Sequence, residues 1–297
     1  MNTFARLAFL ALVLASCGAV SAQHAKFVLF GDGFKGQERA DFKPEHRFVH
    51  PVSSPYFHED SFVTSDVRLY ALYHKFPSGG VLNGGDAQVY AAQVRVALTD
   101  KIQLVAYKDG YTDMDSGLID DSGFNDIAAG LKWNFLQDWK NQLHLAVGAG
   151  YELALGDPSI LHNNDEFRFW ASANKGFDRL HLGITGNLFV PCDDDSALGE
   201  SVYASWHLHA DYYVCKHFSP TIELNGYHVI DEDNEVVPIS GIDVTNLGGG
   251  DDVITMAIGG EIRPCSGFAV RAAYEFPLTD GEDIYGYRLT FSAVLSF

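Results

Sequence analysis

From Thr64 to Phe297 apolar and polar residues alternate with a period of two, segment after segment. Successive side chains point to opposite sides only in an extended strand, so this period predicts an all-β chain. The last segment is the clearest. Tyr285, Tyr287, Leu289, Phe291, Ala293, Leu295 and Phe297 share one face; Arg288, Thr290, Ser292 and Ser296 share the other. Leu143, Leu145, Val147, Ala149, Tyr151 and Leu153 repeat it opposite His144, Gly148, Gly150 and Glu152. Twelve strands are predicted, at about 64–75, 87–98, 101–109, 125–136, 141–154, 165–176, 179–190, 201–214, 217–230, 252–263, 267–277 and 284–297.

Alternation alone does not say whether the apolar face points inward, as in a soluble sandwich, or outward to lipid, as in a membrane barrel. Four features favour the barrel. Short turns (near 99–100, 137–140, 177–178, 215–216 and 264–266) alternate with longer connections (near 76–86, 110–124, 155–164, 191–200, 231–251 and 278–283). With the C-terminus on the periplasmic side every short turn falls on that side, and the strand number is even. The polar face is rich in Gly, Ser, Thr, Asn, Tyr and His, whereas a water-exposed face carries more Lys and Glu. Aromatic residues gather toward strand ends as two girdles. Tyr73, Tyr151, Phe167, Tyr274, Phe276, Tyr285 and Tyr287 lie toward the long loops; Trp133, Phe135, Tyr212, Phe268 and Phe297 lie toward the short turns. The predicted architecture is an up-and-down antiparallel transmembrane β-barrel of about twelve strands, one domain at 64–297, in a bacterial outer membrane.

Residues 1–22 read as a signal peptide: Arg6, an apolar core from Leu7 to Ala15, and the small-residue site Val20-Ser21-Ala22. Leu14-Ala15-Ser16-Cys17 also resembles a lipoprotein signal, so cleavage after Ala22 and lipidation at Cys17 both stay open. Residues 23–63 hold Pro44, Pro51, Pro55, His46, His50 and His58 without a sustained period, and are expected to be a periplasmic or lumen-inserted segment. Cys192, Cys215 and Cys265 show no metal-ligand spacing. Either Cys215 pairs with Cys265 across neighbouring turns, or all three thiols are unpaired. Thirty-nine acids against twenty bases, net −19, exclude a nucleic-acid partner, since phosphate binding needs clustered Lys and Arg.

With apolar residues toward lipid, the opposite register lines the lumen. The candidate pore-lining residues are Arg68, Arg95, Lys132, Glu152, Arg168, His207, His209, Asp211, Glu223, Glu261, Arg271, Glu275 and Arg288. Closure sets the last strand beside the first, so Arg271, Arg288, Arg68 and Arg95 fall on four consecutive strands as a basic wall beside Glu223, Glu261 and Glu275. Such a wall orients solutes and sets ion preference. His207, His209 and Asp211 share a face, with His181 expected opposite His209 or Asp211 and Glu223 near His207. This set reads as a hydrated wall rather than a metal site, and no metal or other cofactor is expected. Acids also crowd the loops, at 109–126, 191–200 and 231–252, without a twelve-residue calcium-loop pattern. They read as a solvated surface.

No catalytic residues are assigned: GxSxG, HExxH and Walker sequences are absent from the chain. The outer-membrane phospholipase arrangement would need a serine beside the outward His228, and none can be placed there. The segment before the barrel is too short for an autotransporter passenger.

The last strand, with alternating apolar residues and a terminal Phe297, resembles the C-terminal signal of bacterial outer-membrane barrels. That resemblance implies outer-membrane lipid and the barrel-assembly machinery as partners. Val96-Ala97-Leu98-Thr99-Asp100-Lys101, Tyr107-Lys108-Asp109-Gly110-Tyr111 and Asp126 to Lys132 resemble the transporter-like barrels of the MetA-pathway phenol-degradation family. That likeness implies passage of a small-molecule solute, aromatic ones included. The expected function is a channel or diffusion transporter for small solutes. The alternatives are a structural or surface-interaction barrel with a closed lumen and, more remotely, an outer-membrane lipid hydrolase.

Overall fold

In a computed structural model the chain forms a closed antiparallel barrel of twelve strands. The structure describes residues 27–30, 43–80, 82–160, 165–192, 202–231, 253–279 and 285–297. The signal segment, Cys17 and most of the acidic stretches at 193–200 and 232–252 lie outside these residues.

The strands are β1 (Asp66–Lys75), β2 (Gly85–Ala97), β3 (Ile102–Lys108), β4 (Tyr111–Ser116), β5 (Asp120–Phe124), β6 (Ile127–Asp138) and β7 (Leu143–Leu153). They continue as β8 (Glu166–Phe177), β9 (Leu180–Pro191), β10 (Val202–Tyr212), β11 (Phe218–Asp231), β12 (Val253–Cys265), β13 (Phe268–Pro277) and β14 (Tyr287–Ser296). Each pairs with its neighbours, and β1 pairs with both β2 and β14, which closes the cylinder. β4 prolongs β3, and β5 leads into β6: β2 pairs with β3 along one half and with β4 along the other. Gly110 sits at the step between β3 and β4 with φ +121°, where an added Cβ would lie 2.5 Å from the Tyr90 carbonyl oxygen.

The hairpin β4–β5 corrects one expectation, because 110–124 reads as a long loop. Its outward residues are Tyr111, Asp113 and Asp115, while Thr112 and Met114 are buried. The outward side is acidic rather than apolar, so the hydrophobic period that marks the other strands is missing.

The outer surface carries Trp133, Ile258, Phe291, Leu131 and Ile184, each about half exposed. A continuous apolar exterior around a closed sheet suits hydrocarbon and not water. Two residues expected in the girdles are instead buried. Phe268 is 4 % exposed and Tyr285 1 %. Tyr285 precedes β14 and turns inward, with its ring 4.6 Å from His74 and under the Arg288 guanidinium.

Cys215 is a free thiol, as is Cys192, so the bridge between Cys215 and Cys265 does not form.

Candidate functional site: an occupied lumen

All thirteen residues expected to line the pore are buried, none more than 3 % exposed. Polar positions of alternating strands therefore converge on one interior. What fills that interior is the segment just before β1. Residues 43–65 rise from the short-turn end of the barrel, turn over near Ser54, and descend to start β1. Ser54 has φ +48°, and its carbonyl oxygen accepts from the Phe57 and His58 amides at 3.0 Å. At the base, Arg47 donates to the Lys216 carbonyl oxygen; on the return, Thr64 accepts from Gln103 and Ser65 bonds the Ala97 amide. Both legs thus leave through the same end.

The ascending leg is held by β9 to β11. Glu223 accepts from the Val52 and Ser53 amides at 2.8 and 2.6 Å and from His209 Nδ1 at 2.7 Å. Asp211 accepts from the Val49 amide at 3.1 Å and from His181 Nδ1 at 2.7 Å. Register places His209 opposite Glu223 and His207 opposite Asn225, which corrects the expected proximity of Glu223 to His207. His181 does fall opposite Asp211. Both ring nitrogens of His181, His207 and His209 have polar partners. Among the described residues no group of three or more His, Cys, Asp or Glu is arranged to hold a metal.

The tip is wedged among rings. Phe57 packs against Phe189, Tyr203 and Tyr227, with centroids 5.2, 6.4 and 5.5 Å away. Arg168 donates to the Tyr56 and Phe57 carbonyl oxygens at 2.5 and 2.7 Å, and its guanidinium lies over the Tyr107 and Trp170 rings. Tyr56 donates to Glu152, which also takes Lys108. Two wall glycines make room for these rings. A Cβ at Gly148 would sit 2.1 Å from the Trp170 indole, and one at Gly150 would sit 2.4 Å from the Tyr107 hydroxyl.

The descending leg carries two acids. Glu59 accepts from Arg95 NH2 at 2.6 Å and from Lys132 Nζ at 2.8 Å. Its backbone oxygen accepts from Ser172 and Thr185. Asp60 pairs with His50 across the two legs. Ser61 is bound by Asn174 and Asn134. Burial pushes the Glu59 carboxyl up, but Arg95 and Lys132 outweigh it and bring its pKa down to about 2.

The four arginines of the expected basic wall do occupy consecutive strands, but at two levels. Arg288 is level with His74 near the long-loop end, while Arg68 and Arg95 lie near the short-turn end, where Asp66 faces Arg95. Arg68 pairs with Asp66, Arg95 with Glu59 and Arg271 with Glu261. Glu275 faces Arg288 across β13 and β14.

The residues that sequence reasoning missed are those of the inner hairpin: Val52, Ser53, Tyr56, Phe57, Glu59, Asp60 and Ser61. The available signal was the pair Glu59-Asp60 just ahead of a barrel whose inward face offers Arg95 and Lys132.

No family model and no curated protein matches the chain, so the likeness to the phenol-degradation family has no support. Solved structures do resemble it. The KdgM porin is 10% identical, over 77% of this chain and 99% of its own, with a TM-score of 0.47. The Pseudomonas putida toluene transporter TodX is 9% identical over 82% and 96%, with a TM-score of 0.40. OprD, an outer membrane protein of Pseudomonas aeruginosa, is 8% identical over 84% and 97%, at 0.37. The barrel fold of the present chain rests on its own closed strand order, and nothing about solute or activity passes to it from these proteins.

Proposed function

We propose that this chain is a bacterial outer-membrane channel for small solutes whose lumen is held shut, in the state described, by its own inner hairpin. The observation that carries the reading is how that hairpin is attached. Beside the aromatic wedge at Phe57, the Phe48 ring on His181 and a small apolar patch of Val49 and Val52 on Ala257 and Ala273, its ties to the wall are hydrogen bonds and ion pairs, as at Glu59, Ser61 and the Val52 and Ser53 amides. Exchanging each such bond for one with water costs about 0.5–1.5 kcal/mol net, and about 1.5–3 where a charge is involved, so a water-filled lumen can solvate the groups that the hairpin uncovers on leaving.

The outward apolar band supplies the lipid surface. In this reading β14, followed by Phe297, is the strand that the barrel-assembly machinery recognises, and the buried charged residues line the passage once the hairpin withdraws.

A second reading, a permanently closed structural barrel, draws on the Phe57 ring cluster. Single-channel recording in a planar bilayer separates the two. The intact chain should give brief, infrequent openings, and a chain with residues 48–62 replaced by a short Gly-Ser linker should give long ones. Silence from both proteins, each with the heat-modifiable gel mobility of a folded barrel, would establish the closed structural barrel instead.

A further inference from the structure

At the short-turn end of the lumen, four strands place inward side chains in one row. Ser219 of β11 faces Glu261 of β12, Glu261 faces Arg271 of β13, and Arg271 faces Ser292 of β14. Glu261 is the only carboxylate in that row, and three arginines use it. Arg263 grips it through Nε and NH2 at 2.9 and 3.1 Å. Arg271 donates from Nε at 2.9 Å. Arg47, on the inner hairpin, approaches its other oxygen from Arg271's at 3.6 Å. The cluster therefore holds two more positive than negative charges.

The same groups are short of hydrogen-bond partners. Arg271 NH1 and NH2, Arg47 Nε and NH2, Ser219 Oγ and Ser292 Oγ are all buried atoms with no hydrogen-bond partner among the described residues. Arg271 is 1 % exposed. Leaving a buried guanidinium half-satisfied costs far more than leaving it paired, so such a site calls for a further acceptor. With Nε committed to Glu261, the free edge of Arg271 is its NH1–NH2 fork, which matches the two oxygens of a planar carboxylate. The Arg47 side chain keeps 23 % of its surface exposed, so the cluster communicates with water at this end.

We propose that Arg271 and Arg47 form a binding site for a small carboxylate anion. Because Arg271 belongs to the wall and Arg47 to the hairpin, the anion bridges them and holds the hairpin's base. The site goes beyond the channel reading and stands whether or not the lumen conducts.

The test is anion binding by the full-length folded barrel in detergent, read from the excess ⁸¹Br line width of sodium bromide and its reversal by sodium formate. The wild type should broaden the bromide signal, and formate should remove that broadening at concentrations where it leaves protein-free bromide unchanged. Arg271→Gln and Arg47→Gln should each lose most of the formate-sensitive broadening. Arg271→Lys should keep part of the bromide effect and lose the preference for formate, because an ammonium lacks the fork. Two results would overturn the proposal: no formate-sensitive broadening in the wild type, which leaves water as the missing acceptor, or equal broadening in wild type and Arg47→Gln. Arg47 lies outside the strands, so that variant tests the site even if Arg271→Gln fails to fold.

Discussion

The wall from β6 to β11 and the wall from β12 to β14 bury comparable polar side chains and treat them differently. On the first, Lys132, Arg168, Asp211 and Glu223 all bond the inner hairpin. On the second, the described contacts with the hairpin reduce to Arg47 with Glu261 and a small apolar patch of Val49 and Val52 on Ala257 and Ala273. There the Thr290 and Ser292 hydroxyls and the Arg271 fork have no partner among the described residues. The hairpin is therefore complementary to one side of the lumen. On the other side several buried polar groups lack a hydrogen-bond partner among the described residues.

The sharpest way to break this contrast is Glu59→Ala, which takes the shared carboxylate from Arg95 and Lys132 and leaves them Gln93 and Asp60, respectively. Removing one partner of a buried ion pair costs about 3–5 kcal/mol. The Val49, Val52 and Ser53 amides, bonded to Asp211 and Glu223, should then exchange with deuterium roughly a hundredfold or more faster, at about 1.4 kcal/mol per tenfold. Unchanged exchange would mean that Glu59 does not hold the hairpin.

Acid should do the same reversibly. The Glu59 carboxyl lies at about 2 when docked against an ordinary 4.5. Its contribution is thus fully present above about pH 4.5 and is lost as the pH falls toward 2. Channel opening should rise through that window in the wild type and lose this component in Glu59→Gln.

Filling the room that glycine leaves is a smaller perturbation. Gly148→Val sets a side chain against the Trp170 indole and should cost about 1–3 kcal/mol, seen as a lower midpoint for the heat-modifiable mobility shift. Smallest of all should be Thr290→Val and Ser292→Ala on the sparsely bonded wall. With no protein partner to lose, each should stay within about 0.5 kcal/mol. A larger loss would mean that those hydroxyls bind something ordered.

The barrel was legible in the sequence because lipid and lumen enforce opposite chemistries on alternate residues. Arg168, Ser172 and Asn174 of β8 point in, and Phe167 and Phe169 point out, as the period requires. The rule fails where that contrast stops. Two of the three outward residues of β4, Asp113 and Asp115, are acids, so a strand reads as a loop. Tyr285 keeps the parity of β14 but lies before the strand begins, so parity no longer fixes its direction. The hairpin has no period at all, since its partners are side chains of many strands and not a ladder. Only after Arg95 and Lys132 are placed inside does the adjacent pair Glu59-Asp60 have an evident destination.

Because both legs of the inner hairpin leave by the end where β1 begins, none of the described residues inside the barrel wall passes from one mouth to the other. The stopper is a tethered cork and not a thread. Drawing it out unties nothing, breaks no strand pairing, and leaves the cork attached to the first stave of the barrel. In the proposed channel its return would be a local search at the end of a short leash, independent of how much of this protein the membrane contains.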